Sequence, residues 1–384
     1  MTRPIYLDYQ ATTPCDPRVL TAMLPYFAEI FGNPHSAEHS YGRDADAAVE
    51  HARGQIAALI GADPREIVFT SGATEANNLA IKGAARFASN GTKRRIITFA
   101  TEHKCVLQSA TDLAADGFEP IILPVGPDGL HNPEALTDAL RVPTLLVSCM
   151  AVNNETGVIQ DITAIGEAAR AAGALMHSDL AQAAGRMPID VTRQNLDLAS
   201  ISAHKLYGPK GIGALYVRRR PRARIAPLFS GGSQERGLRP GTIPTPLAVG
   251  FGAACAIAAA DMAADQARAA IVRAQFWDHL SAAIPNLALN APHAAKIAGS
   301  LSLRLPQIAA LDLIAACPEL AISTGSACTS ADIAPSHVLT AMGLTPLDAA
   351  RCLRVCVGRF TSAPDINQAA AALAAAYARL VAAP

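Results

Sequence analysis

Charge is the scarce property of this 384-residue chain. Charged residues make up 17%, and 32 basic side chains are matched by 32 acidic ones, against roughly 25% charged residues in an average domain. With no net charge, neither nucleic acid nor an anionic membrane is expected as the main partner. One basic run, Arg218-Arg219-Arg220-Pro221-Arg222-Ala223-Arg224, reads as a solvated loop able to attract an acidic partner. Metal-ligand spacings such as Cys-x-x-Cys and His-Glu-x-x-His are missing, so no metal is expected. Eight cysteines (Cys15, Cys105, Cys149, Cys255, Cys317, Cys328, Cys352 and Cys356) show no paired spacing. The N-terminus, Met1 to Asp8, has no signal-peptide core. The thiols are therefore expected to be reduced and the protein cytoplasmic. No apolar run reaches the roughly 20 residues of a membrane span without interruption by charge.

What is present is apolar: 51% of residues are hydrophobic, many of them alanines in helical runs such as Ala363 to Ala383. The length allows two domains and a large core. From about residue 60 to 215, strand-like runs (Glu66 to Thr70, Arg95 to Ala100, Thr144 to Met150, Leu175 to Asp179, Leu196 to Ser202) are interspersed with helical segments such as Ala76 to Phe87 and Ile162 to Ala172. This predicts an α/β fold with a mostly parallel sheet covered on both faces. Upstream, Ile5 to Tyr9 alternates like a short strand, and a helix over Tyr41 to Leu59 places Arg43, Ala47, Glu50 and Arg53 on a polar face. Downstream, a long, interruptible helix from Pro246 to Ile284 leads to a second domain. That domain mixes strands (Ser300 to Leu305, Leu353 to Val357) with a helical tail.

The chain is organised around the stretch Ala199 to Gly211. An apolar strand ends at Ser202, and His204-Lys205 follows before a Gly/Pro turn. A lysine at the carboxyl end of a sheet strand lies where α/β folds build sites. Desolvation there can release its proton for Schiff-base chemistry. A lone lysine beside a turn is more often a surface residue, but other parts of a pyridoxal 5'-phosphate (PLP) site follow. Asp179 ends a strand and could keep a pyridinium nitrogen protonated; alone it would more often cap a helix. His103 sits at another strand end, suited to stacking and proton transfer, or to facing solvent in a loop. Ser71-Gly72-Ala73-Thr74-Glu75 opens a helix and suits a phosphate as well as it suits an ordinary side-chain cap. Ser202 and His204 are further phosphate partners. Asn33 and His35, in a turn-rich loop, could face a ligand. Gly208 to Gly213 leads into a strand rather than a helix and is no nucleotide loop.

Seven of the nine residues Ile322 to Ser330 are small or hydroxylated around Cys328. A mobile loop with a reactive thiol is expected there, in preference to a structural cysteine. Cys149, in an apolar strand, reads as a core thiol. Arg354 shares a strand face with Cys352 and Cys356 by alternation. It needs an anionic partner, either a substrate carboxylate or a buried structural carboxylate.

These motifs resemble the cysteine desulfurases of the class V aminotransferase family, fold-type I PLP enzymes. The likeness spans about residues 5 to 375. It rests on Tyr6 to Pro14, Glu66 to Asn78, Thr101-Glu102-His103-Lys104, Val152-Asn153-Asn154-Glu155, His204 to Gly213 and Ser323 to Ser330. Ser233 departs from it, standing where the family commonly has a third glycine. The ending in an Ala-rich helix departs too, where members that feed iron–sulfur scaffolds usually carry a longer docking tail.

The resemblance implies a large PLP-binding domain (15–260) with a mainly parallel seven-stranded sheet. It also implies a smaller α+β domain (1–14 and 261–384) carrying the cysteine loop, about 322–335. By the same resemblance Lys205 holds the cofactor covalently, Asp179 pairs with the ring nitrogen, His103 stacks and shuttles protons, and Gln182 meets the ring hydroxyl. Ala73, Thr74, Ser202, His204 and Asn154 bind the cofactor, with Thr242 reaching in from the other subunit of a homodimer. Arg354, helped by Asn33 and Asn154, takes the carboxylate of L-cysteine. Cys328 attacks its sulfur, becomes a persulfide and passes sulfur to a protein acceptor such as an iron–sulfur scaffold or sulfur carrier, with release of L-alanine. The competing readings are another PLP reaction on this fold, such as selenocysteine lyase or transamination, and a non-catalytic binding protein. Intact Lys205, Asp179 and Cys328 argue against the last.

Overall fold

A computed structural model describes residues 3–325 and 335–382. A short strand β1 (Ile5–Tyr6) precedes the main sheet. That sheet has seven strands: β2 (Ile67–Thr70), β3 (Arg95–Phe99), β4 (Glu119–Leu123), β5 (Thr144–Ser148), β6 (Leu175–Asp179), β7 (Leu198–Ser202) and β8 (Gly213–Val217). Their order is β2-β8-β7-β6-β5-β3-β4. Only β8 runs against its neighbours β2 and β7, and the remaining pairs are parallel.

Alternation along the strands builds a core on each face. Phe69, Ile97, Val147, Ala199 and Ala214 meet the helices Ser40–Ile60 and Thr245–Ala283 through Ile56, Ile60, Ala248, Phe251 and Cys255. The alternate residues Val68, Ile96, Leu146, Leu198 and Leu215 meet the helices Ala73–Phe87 and Lys104–Asp112 through Leu79, Ala80, Val106 and Ala110. Both faces are covered, which is why these strands read as unbroken apolar runs.

A second core lies beyond the sheet. β9 (Ala288–Leu289), β10 (Ser300–Arg304) and β12 (Cys352–Cys356) form an antiparallel sheet of order β12-β10-β9, while β1 pairs in parallel with β11 (Leu320–Ala321). Leu7, Leu301, Leu303, Leu353 and Val355 pack on Val272, Phe276 and Leu280 of the long helix and on Leu373 and Tyr377 of the final helix. The helix Thr245–Ala283 runs unbroken for 39 residues, so no interruption is needed. Its length and apolarity would suffice for a membrane span. Here they serve two protein cores, one at each end.

One sequence expectation is corrected. Arg53 is not on a polar face but 3% exposed. Its guanidinium donates to Glu235 at 2.8 and 2.9 Å and to the Ile67 carbonyl at 2.9 Å, and it stacks over the Phe69 ring. The helix after β2 also starts earlier than predicted, at Ala73.

Candidate active site

Parallel strands end on one side of a sheet, and this sheet collects Asp179 from β6, Ser202 from β7, Lys205 from the turn after β7, and His103 from the loop after β3 around one cavity of about 560 Å³. Lys205 closes the single 3-10 turn Ala203–Lys205. Its Nζ donates to the carbonyls of Gln10 at 2.6 Å and Ala11 at 2.8 Å. The N-terminal segment thus reaches across from the second core to form one wall.

The opposite wall is the start of the helix Ala73–Phe87. Its N-cap, Gly72, makes no side-chain capping bond, so the ordinary-cap reading of Ser71 or Thr74 is set aside. The first N–H groups of a helix lack intrahelical acceptors and carry the positive end of its dipole. Here they belong to a turn that lines the cavity with Ser202 and His204 facing it. The turn fits because β8 starts with glycine. A Cβ on Gly213 would lie 2.7 Å from Gly72 Cα and 2.5 Å from the Ile201 carbonyl oxygen. His204 Nδ1 is 3.0 Å from Thr12 Oγ1. Burial, then the nearby Lys205 and Lys210 charges, push its pKa down to about 4, so the ring is neutral.

Asp179 is held from two sides: Asn77 Nδ2 donates to Oδ2 at 2.7 Å and Ala181 N–H to Oδ1 at 2.9 Å. Gln182 donates from Nε2 to the Gln10 carbonyl at 2.8 Å, while its Oε1 accepts from Arg186 Nη1 at 2.6 Å. Arg186 also donates to the carbonyls of Tyr9 at 2.7 Å and Lys205 at 3.3 Å, so one guanidinium braces three parts of the site.

His103 is the N-cap of the helix Lys104–Asp112. Its Nδ1 accepts the Cys105 N–H at 3.2 Å. Burial lowers its pKa, and the Lys205, His337 and Lys104 charges add to this against the opposing pull of Asp179. With Nδ1 accepting, a neutral ring carries its proton on Nε2.

The profile of the family named Aminotransferase class-V matches residues 5–368. This chain belongs to that family. It is 51% identical to the cysteine desulfurase IscS of Rickettsia akari over 369 residues, 96% of this chain and 90% of that protein. It is 52% identical to the IscS of Rickettsia bellii over 366 residues, 95% of this chain and 89% of that protein. A NifS-like protein of known structure superposes with a TM-score of 0.91 at 32% identity, covering 98% of this chain and all of that one. SspA in complex with cysteine superposes at 0.81 with 37% identity, covering 93% and 99%. Within the class V family the chain therefore groups with the cysteine desulfurases.

Against that family pattern, the cavity brings together Ala73, Thr74, His103, Asn154, Asp179, Gln182, Ser202, His204, Lys205 and Arg354. Asn154 Oδ1 is buried with no hydrogen-bond partner among the described residues. Arg354 has a protein partner: its Nη2 and Nε reach Asp8 Oδ1 at 2.7 and 3.1 Å, and Nη1 donates to the carbonyls of Asn154 and Gly325. The buried ion pair weighed for this arginine is present, and the arginine lines the cavity as well. Asn33 and Thr242 are exposed and lie off this chain's own cavity. Asn33 Oδ1 accepts the His35 N–H in its turn. Cys328 lies outside the described residues; Gly325, just before it, lines the cavity. Cys149, Cys352 and Cys356 are all buried, as core thiols should be. Sequence reasoning missed Gln10 and Ala11 as lysine partners, and it missed Cys105, a thiol on the cavity wall. The Tyr6 to Pro14 motif was the available signal for the first two; nothing local marks Cys105.

Proposed function

We propose that this chain holds PLP on Lys205 and moves the sulfur of L-cysteine onto Cys328 as a persulfide, leaving L-alanine. One observation carries the cofactor reading: an amine, a fixed carboxylate, a neutral imidazole and an uncapped helix N-terminus converge on a single cavity. Their chemistry fits the group, with cation-accepting Asp179 at one end and anion-accepting N–H groups at the other. PLP bound there supplies an electron sink for the substrate Cα. Lys205 is the base for the Cα proton. His103 offers Nε2 as the exchanging proton site. Asn154 and Arg354 orient the substrate carboxylate.

Cys328 then attacks the substrate sulfur. An S–S bond forms as the C–S bond breaks, and the electron pair left on carbon takes up a proton on the way to alanine. The attacking group must be a thiolate, whose free pKa near 8.5 leaves only part ionised at neutrality. The persulfide passes sulfur to a protein acceptor in the cytoplasm. The large domain spans 15–260 and the small domain 1–14 and 261–384, a division supported by the two cores meeting along the long helix. The protein works as a homodimer, supported by exposed Leu20, Leu24, Phe27, Phe31 and Tyr41 and by Thr242 standing outside its own cavity.

Incubation with L-cysteine followed by mass spectrometry of peptides should place the extra sulfur on Cys328. Cys328→Ala should keep cofactor colour and L-cysteine binding while losing alanine and persulfide together. Normal alanine release from that variant would replace this mechanism with a lyase that ejects sulfur unaided.

A further inference from the structure

Along one wall of the cavity, with Asn77 behind it, four side chains from three elements form one hydrogen-bonded row. Asn77, fully buried on the helix Ala73–Phe87, donates from Nδ2 to Asp179 Oδ2 at 2.7 Å and to Cys105 Sγ at 3.2 Å. Both hydrogens of that amide nitrogen are thereby used. The same sulfur lies 3.0 Å from His103 Nδ1. The Thr74 hydroxyl also hydrogen-bonds this sulfur, and a sulfur that accepts from Asn77 and Thr74 has its own hydrogen left to give. Nδ1 is the ring's accepting side, because it already takes the Cys105 N–H at 3.2 Å.

We infer that Cys105 is a positioning residue for His103: its S–H, aimed by Asn77, donates to Nδ1 and keeps the working proton on Nε2. This rests on the reading of His103 as the proton carrier of the site. Burial, with Asp179 nearby, pushes the Cys105 pKa up to about 12, so the thiol keeps its hydrogen through the neutral range. A donor facing Nδ1 opposes protonation there, since an imidazolium needs acceptors on both sides. Asp179, Lys205, His337 and Lys104 also act on this ring. Substitution at Cys105 leaves these groups in place, and Asn77 and Thr74 lose a partner in the alanine and valine variants but regain one in serine, so the serine variant isolates the donor.

The test uses holoenzyme labelled with nitrogen-15 histidine, as wild type and as Cys105→Ala, Cys105→Val and Cys105→Ser. His103 signals are assigned by their loss in His103→Gln. Removing the donor should raise the His103 titration midpoint by roughly half to one pH unit, the size of one net hydrogen bond. Cys105→Val, which fills the volume without a donor, should match Cys105→Ala and covers the case of a poorly folded alanine variant. Cys105→Ser should restore the wild-type midpoint. The corresponding limb of the pH profile for alanine formation should move in parallel. An unchanged midpoint in both donor-less variants, or a serine variant that behaves like them, overturns the inference. A failure of the desulfurase reading would look different: wild-type protein would form no alanine, while the imidazole comparison needs no substrate.

Discussion

Replacing Arg354 by alanine should damage stability and substrate affinity through separate contacts. Arg354 is 4% and Asp8 13% exposed at the side chain, and they meet at 2.7 Å. The pair joins β12 to the residues following β1, and once the guanidinium is gone the Asp8 carboxylate retains, among the described residues, the Ser323 hydroxyl at 3.2 Å. Breaking a buried pair from one side costs about 3–5 kcal/mol. Because Asp8 is partly exposed, a loss of about 3 kcal/mol is expected here. The cost comes mainly from the stranded carboxylate, so Asp8→Ala with Arg354→Ala should be less damaging than the two single losses added, by at least ~1 kcal/mol of coupling. Urea unfolding of the four-member cycle measures this. The KM for L-cysteine should rise about tenfold to a hundredfold in Arg354→Ala, from the loss of a charge-assisted bond to the substrate carboxylate. Additive stabilities would refute the ion-pair reasoning. An unchanged KM in a folded variant would refute the substrate role alone.

His177, buried between Ser148 Oγ at 2.8 Å and Ser200 Oγ at 3.0 Å, has its pKa pushed down to about 4 by desolvation. The unfolded chain takes up this proton first, so stability present above about pH 6.5 is lost as pH falls toward 4, by roughly 3 kcal/mol. His177→Asn should flatten that part of a stability–pH curve, and an identical curve would remove His177 from the account. Gly213→Ala, whose Cβ meets only backbone, should weaken PLP binding at least ~10-fold, since one pH-unit-sized effect of ~1.4 kcal/mol already does so; equilibrium dialysis of the cofactor checks it. Borohydride reduction of the holoenzyme should label Lys205, and a label on Lys104 or Lys210 would refute the assignment.

The parallel sheet was legible because buried strands leave unbroken apolar runs, and β6 matches its expected span of Leu175 to Asp179. Lys205, Asp179 and His103 were legible for a related reason: parallel strands bring their carboxyl ends to one side. The edge strand β4 was not, since Pro120 interrupts it and Ile122 is 44% exposed. Arg53 was misplaced because helical spacing cannot foresee Glu235, 182 positions away. Asn77 and Cys105 sit in ordinary helical sequence: Cys105 meets His103 locally through the N-cap, but only the packing of the helix Ala73–Phe87 on the helix Lys104–Asp112 and on β6 brings Asn77 to Cys105 and Asp179.

The N-terminal segment explains how the second core acts on the site. Leu7 belongs to that core, and three residues later Gln10 is fully buried at the wall of the cavity. Its side chain joins both sides: Oε1 accepts from Ser300 Oγ of β10 at 2.8 Å, and Nε2 donates to the Asn153 carbonyl at 3.3 Å. Its carbonyl receives Lys205 Nζ and Gln182 Nε2. Gln10→Leu keeps the approximate volume but leaves the Ser300 hydroxyl and Asn153 carbonyl short of partners, about 1–3 kcal/mol for each buried group. The carbonyl that holds Lys205 should then lose its fixed position. Two measurements separate the effects: the urea midpoint should fall, and the rate at which stripped protein recovers its PLP colour should fall with it. Serine at 300 replaced by alanine removes only the first contact, so it should lower stability with little change in that rate. If Gln10→Leu loses stability yet recovers colour at the wild-type rate, the segment is a strut between cores and does not position the lysine.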